Sequence, residues 1–190
     1  MEGSRLFLGP FLKLKNSSLY NNAFYLMLNN ATTCLIGFVF WNITARVFVP
    51  AQVGIGSALV SASTLVGILT GLGLKIGLIR FVPENRERAG VFVNAAFTLV
   101  VLASITGSLI YLVGVNYWSP ALGFIREDSL FLFMFIFFTS ATALSGLTDS
   151  SLIAGRASRY VLWKNTIISV FKIPLAIVVF AHLQGFGIFA

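Results

Sequence analysis

The chain has 190 residues, of which 57% are hydrophobic and only 10% charged, and its formal net charge is +7. A soluble domain carries about 25% charged residues, so this chain lacks the polar surface to face water on all sides. That excludes a water-soluble enzyme or a nucleic-acid-binding domain, and it assigns the basic excess to membrane topology.

Five apolar runs follow one another, at residues 20–44, 51–82, 91–115, 130–153 and 161–181. A run of roughly 18 or more apolar residues is the sequence signal of a transmembrane helix. The expected fold is therefore all-α, a polytopic bundle of five transmembrane helices, with residues 185–190 reading as the start of a sixth. Residues 1–19 divide off as a cytoplasmic, interfacial segment, because the apolar stretch after Arg5 breaks at Pro10 and runs into Lys13 and Lys15. Residues 20–190 form the transmembrane bundle.

On the first predicted helix Asn22, Asn29, Thr33, Gly37 and Thr44 fall on one stripe at helical spacing. The single cysteine, Cys34, lies in the same run and leaves no disulfide framework and no metal cluster. Arg46 and Pro50 mark the first connection. The second run would be about 48 Å long at ~1.5 Å per residue, against a hydrocarbon core of ~30 Å. It must tilt, break or continue beyond the membrane. Gly67, Gly71, Gly73 and Gly77 have the small-xxx-small spacing that lets helix backbones approach closely, so they are expected to pack against another helix, the alternative being a flexible segment that bends during transport. Lys75 and Arg80 near the end of this run either snorkel to the surface or line the inner mouth of a cavity.

The third run offers Asn94 and Thr98, the fourth Thr142, Ser145 and Asp149, and the fifth Asn165, Ser169 and Lys172 with Pro174 just beyond. Polar stripes on several helices have two readings, a polar interior or hydrogen bonding between helices. Charges inside a membrane carry more weight, since each costs about 2.5–3.5 kcal/mol at mid-bilayer on the gentlest scale. Lys172 is the deepest, and its one candidate partner is Asp149, at a stretch.

The basic residues alternate between connections. Arg5, Lys13 and Lys15, then Lys75, Arg80, Arg86 and Arg88, then Arg156, Arg159 and Lys164 belong to one side; the other has Arg46, Arg126 and His182. Lys and Arg mark the cytoplasmic side, so the amino terminus is expected inside, in a multi-pass protein of the cytoplasmic membrane.

Residues 25–84 resemble the amino-terminal part of the polysaccharide and lipid-linked oligosaccharide flippases of the multidrug/oligosaccharidyl-lipid/polysaccharide exporter superfamily. The resemblance lies in Asn29-Asn30, in Thr44-Ala-Arg46-Val-Phe-Val-Pro50, in Gln52-Val-Gly54-Ile-Gly56, and in Thr70-Gly71-Leu-Gly73-Leu-Lys75 through Arg80-Phe-Val-Pro83-Glu84. It implies an all-α transporter of two six-helix lobes around a central cavity, working by alternating access on a sugar chain carried by a polyprenyl (di)phosphate. On that pattern the cavity residues are Asn29, Arg46, Lys75, Arg80, Asp149, Asn165 and Lys172. The implied partners are membrane lipid, the anionic lipid-linked saccharide, and a missing carboxy-terminal lobe or another membrane subunit, since the family needs about twice this many helices. No cofactor, metal, catalytic residue or nucleic acid is expected.

Two other readings stay open. A multidrug-type cation antiporter of the same superfamily would want membrane-embedded acids, and Asp149 is the one at hand. An accessory subunit without transport of its own also fits the length. A membrane-bound glycosyltransferase would need paired carboxylates at an interface, and Glu127-Asp128 in a connection is too little.

Overall fold

The computed structural model describes residues 18–183. The expected interfacial segment before them and the expected start of a sixth span after them lie outside the described residues. The described chain is helical apart from short connections, as the spanning backbone in lipid must be if every N–H and C=O is to be satisfied within its own segment. The helices are α1 (Ser18–Val47), α2 (Pro50–Thr70), α3 (Leu74–Glu84), α4 (Ala89–Val113), the single turn α5 (Val115–Trp118), α6 (Ser129–Ala154) and α7 (Ser158–Leu183). Short 3-10 turns at Arg86–Arg88 and Pro120–Arg126 complete the connections.

Four of these, α1, α2, α4 and α6, are long and apolar enough to cross a membrane. At 26 residues, α7 matches them in length. The over-long second run breaks. α2 ends at Thr70, Leu72 and Gly73 take left-handed backbone angles (φ 48° and 71°), and the chain re-enters helix at Leu74. Glycine adopts such an angle freely, whereas Leu72 holds it at a cost of about 1–2 kcal/mol. The break is closed by the Leu74 N–H donating to the Gly71 carbonyl at 2.8 Å. α2 and α3 together make one interrupted span.

α6 is the hub of the bundle and packs on α2, α3, α4 and α7. Its buried face is Phe135, Thr139, Ala143 and Leu147, one residue every four, and α4 answers with Ala96, Val100, Ser104, Ser108 and Leu112 at the same spacing. Two apolar clusters result. Leu78, Ala96, Val100, Ala143 and Leu147 fill the half near the Arg86–Arg88 turn. Leu59, Ala62, Leu112, Val115, Leu122, Ile125 and Phe135 fill the half near the Pro120–Arg126 turn. These two halves are called here the basic end and the far end. Between them the Ser104 hydroxyl bonds that of Ser140 across the α4–α6 contact at 3.0 Å.

α1 stands apart from this block and lies along α7. The Ser158 N–H donates to Asn22 Oδ1 at 3.1 Å, and Asn165 Nδ2 donates to Asn29 Oδ1 at 3.2 Å, across the same sequence separation of 136. The two helices therefore run parallel in constant register. At the far end Phe40 and Phe48 are buried with Trp41, Val53 and Ile173 around them. Large side chains such as Leu35, Phe38, Ile68, Ile76, Phe133 and Phe171 are exposed, a surface suited to lipid.

Candidate functional site

The polar groups of three helices meet where α7 docks on α6 and α1. Asp149 lies five residues before the end of α6 and Lys164 six residues into α7, so antiparallel packing brings them to one level. The Lys164 ammonium stands 2.6 Å from Asp149 Oδ1 as an ion pair, with each side chain 23% exposed. It also donates to the Ser145 carbonyl at 3.0 Å and to the Ser145 hydroxyl at 2.8 Å. Asn165, next in sequence, donates to Asp149 Oδ2 at 3.2 Å as well as to Asn29. Each carboxylate oxygen is thus engaged from α7, and the amide link carries the network to α1.

Lys75, in the first turn of α3, reaches the same stretch of α6. A β-carbon at Gly146 would lie 2.5 Å from its Nζ and 2.8 Å from its Cε, so the absence of a side chain at 146 is what seats this lysine. Lys75 forms no ion pair among the described residues. Its chain is half-buried.

Asp149 is held by Lys164, which the sequence assigned to topology alone, and not by Lys172, a stretched pairing that the sequence only left open. Lys172 lies eight residues further along α7, about 12 Å at ~1.5 Å per residue, and its ammonium sits 5.8 Å from the centre of the Phe40 ring, a cation–π contact. Of the glycines of the second run, Gly67 and Gly71 are buried, Gly77 is half-buried and Gly73 is exposed, and the tightest helix approach is at none of them. β-carbons at Gly67 and Gly73 would meet nothing within 4 Å; one at Gly71 would meet only carbonyls of its own chain, and one at Gly77 only Phe81 of its own helix. The tight approaches are at Gly107 of α4, where a β-carbon would collide with the Thr70 methyl, and at Gly146 of α6. Neither glycine stood out in the sequence, although Ala103-xxx-Gly107 and Thr142-xxx-Gly146 obey the same small-xxx-small rule.

The remaining expected site residues are spread out. Asn29, Asp149 and Asn165 join one network with Lys164. Arg46 is exposed in the last turn of α1 at the far end. Arg80 is exposed on α3, its guanidinium 5.8 Å from the Phe81 ring centre. Separately, a cavity of about 700 Å³ opens between α2, α4 and α5, lined by Leu65, Val66, Leu69, Ile110, Tyr111 and Trp118 among others. It is apolar, and none of the charged residues described above lines it. Among the described residues no three His, Cys, Asp or Glu side chains gather as metal ligands would.

No curated protein and no solved structure matches this chain. A family model does, that of the polysaccharide biosynthesis protein family, over residues 19–190. The match runs from the first turns of α1 through every helix described above, and the family is one of transporters rather than catalysts. A multi-pass helical membrane protein is consistent with such a match, and the chain belongs to the polysaccharide biosynthesis protein family.

Proposed function

We propose that the chain is a flippase lobe that helps move polyprenyl-(di)phosphate-linked saccharides across the cytoplasmic membrane by alternating access. The observation that carries this reading is the imbalance of charge within the helices. Lys75, Lys164 and Lys172 enter the bundle from α3 and α7, and Asp149 is the carboxylate among them. Cations in a membrane are costly, and an anionic headgroup arriving from the lipid would offset that cost in a medium where attraction is strong. A second lobe or another membrane subunit would complete the path, since α1 and α7 leave much of their apolar surface exposed.

The cation-antiporter alternative fits less well. An acid that binds protons, sodium ions or cationic drugs has to be available to them, and Asp149 already holds Lys164 and Asn165. The test is transport of a fluorescent lipid-linked saccharide in inverted membrane vesicles carrying the protein. Lys172→Gln is expected to lose transport while inserting normally, and Lys172→Arg to keep part of it. Undiminished transport by Lys172→Gln would end the assignment of Lys172 as a cargo contact, and transport of cationic drugs in place of the saccharide would favour the antiporter.

A further inference from the structure

α2 and α4 touch at one level and leave a groove beyond it. The contact is Thr70 against Gly107, where a β-carbon on the glycine would collide with the threonine methyl. From there toward the far end the cavity of about 700 Å³ lies between the two helices. Its floor on α2 is Ala58, Ala62, Val66 and Thr70, one residue every four, and their short side chains leave the space open. Leu65 and Leu69 stand exposed along one bank, Ile110 and Trp118 along the other.

The dimensions choose the occupant. From Ala58 to Thr70 the groove runs about 18 Å at ~1.5 Å per residue, close to the ~15 Å depth of one leaflet's hydrocarbon. Spread over that length, the volume of about 700 Å³ gives a passage roughly 7 Å across, narrower than the ~10–12 Å of a helix with its side chains. A helix can rest on this groove but cannot enter it, whereas an acyl chain fits. In lipid no water drives apolar surfaces together, so an unfilled groove only forfeits dispersion contacts, and a flexible chain recovers them.

The mouth adds a polar pattern. Trp118 is fixed there, its indole N–H donating to the Tyr111 carbonyl at 3.2 Å and its ring stacked on that of Tyr111. Arg126 reaches the same end of α4 and donates from Nη1 to the Val113 carbonyl at 3.3 Å. Val113 is i+3 from Ile110 and shares its face, so the guanidinium stands about a turn from the groove's bank. That single bond leaves most of its N–H groups unused. Glu127 follows directly and is exposed, while Asp128 caps α6 by accepting from the Leu130 N–H at 2.9 Å. Neither acid forms an ion pair with Arg126. A cation and an acid side by side complement a headgroup that carries both a phosphate and an ammonium, and the acid disfavours a purely anionic one.

We infer that the α2–α4 groove, with Arg126 and Glu127 beside its mouth, binds a phospholipid of the phosphatidylethanolamine type. One acyl chain fills the groove, the phosphate meets Arg126 and the ammonium meets Glu127. This lipid is a structural partner that seals the seam between α2 and α4. It is distinct from any cargo, and the site does not depend on the flippase reading.

The chain has three tryptophans, and one of them lines the groove, so no foreign label is needed. Protein with Trp118 as its sole tryptophan (Trp41→Phe, Trp163→Phe) is placed in phosphatidylcholine nanodiscs. Phosphatidylethanolamine brominated near the carboxyl end of its chains is then titrated in. Trp118 fluorescence should be quenched in a saturating phase at low mole fraction, reversed by unbrominated phosphatidylethanolamine. A protein with Trp163 alone, exposed on α7, should be quenched only in proportion to the brominated lipid present. Brominated phosphatidylglycerol should give no saturating phase at Trp118. Arg126→Gln and Glu127→Gln should each move the midpoint about tenfold upward, the loss of one charge-assisted contact. Ser61→Phe, at an exposed lining position, should abolish the phase by filling the groove. Arg88→Gln, at an exposed cation of the opposite end, should change nothing.

Proportional quenching at Trp118, as at Trp163, would overturn the site, as would a saturating phase that survives Ser61→Phe. Should Ser61→Phe fail to fold, unmoved midpoints in Arg126→Gln and Glu127→Gln overturn it equally. Reversal by a sugar-free polyprenyl phosphate but not by phosphatidylethanolamine would give the groove to a cargo tail and reject the phospholipid. Absence of any quenching at Trp118 would mean that protein, not lipid, covers the groove.

Discussion

Asp149 and Lys164 are the best-defined charged pair in the bundle, and their energetics differ from those of a surface salt bridge. Each is mostly removed from solvent, and each has a second polar partner, Asn165 for the acid and Ser145 for the base. Removing one member leaves the other unpaired in a poorly polarisable setting, which costs more than the pair itself contributes. Lys164→Gln is therefore expected to destabilise the protein clearly in a detergent unfolding titration. The double variant Lys164→Gln, Asp149→Asn should recover much of that loss, with a coupling of about 1–2 kcal/mol. Additive losses would mean that water or lipid headgroups satisfy both groups independently. The sequence made this residue-level detail hard to see. Asp149 was legible as a membrane acid, but its partner depends on the α6–α7 register, which is set by the tight turn at Gly155, Arg156 and Ala157. There the Ala157 N–H bonds the Leu152 carbonyl at 2.8 Å, and Arg156 takes a left-handed φ of 56°. That turn puts Lys164 rather than Lys172 level with the acid.

At the scale of elements, the spans were legible because length and apolarity alone define them. The break in the second run was foreshadowed by the mismatch between its length and the bilayer. Its place was not, since four glycines offered themselves and one, Gly73, takes positive φ. The helix contacts were the least legible, because small-xxx-small spacing is frequent in transmembrane helices and only the tertiary arrangement decides which copy is used. The structure makes that choice testable. Gly67→Ala adds a methyl in a helix where it meets nothing within 4 Å, so the gain in helix propensity of up to about 1 kcal/mol should leave stability unchanged or raised. Gly107→Ala drives the same methyl into Thr70, a short β-branched side chain with little freedom to turn aside. It should lower stability by about 1–2 kcal/mol through separation of α2 from α4. Equal effects at the two positions in the same unfolding titration would show that α4 does not approach α2 at Gly107.

For the whole molecule the governing question is which way the bundle faces. α4 crosses once between the Arg86–Arg88 turn and the α5 turn, so those two connections must lie on opposite sides of the membrane. The basic end gathers Lys75, Arg80, Arg86, Arg88, Arg156, Arg159 and Lys164, whereas the far end has Arg46 and Arg126 and, within α7, Lys172. Lys and Arg in short connections are retained in the cytoplasm during insertion, which predicts the basic end inside and Tyr117 outside. Cysteine labelling in intact cells checks this, and the structure decides where the probes belong. Ser158 is fully buried, and its N–H is tied to Asn22, so a cysteine there would stay silent whatever the topology. Glu87 is exposed in the basic turn, and Tyr117 is 91% exposed at the far end. The native Cys34 is exposed on α1 and has to be replaced by alanine first. In that background Tyr117→Cys should react with a membrane-impermeant maleimide from outside, and Glu87→Cys only after the cells are opened. The opposite pattern would invert the protein and move the Lys75–Lys164 cluster toward the outer leaflet. Reaction of both from one side would mean that α4 does not span the bilayer, and the fold as a membrane bundle would have to be given up.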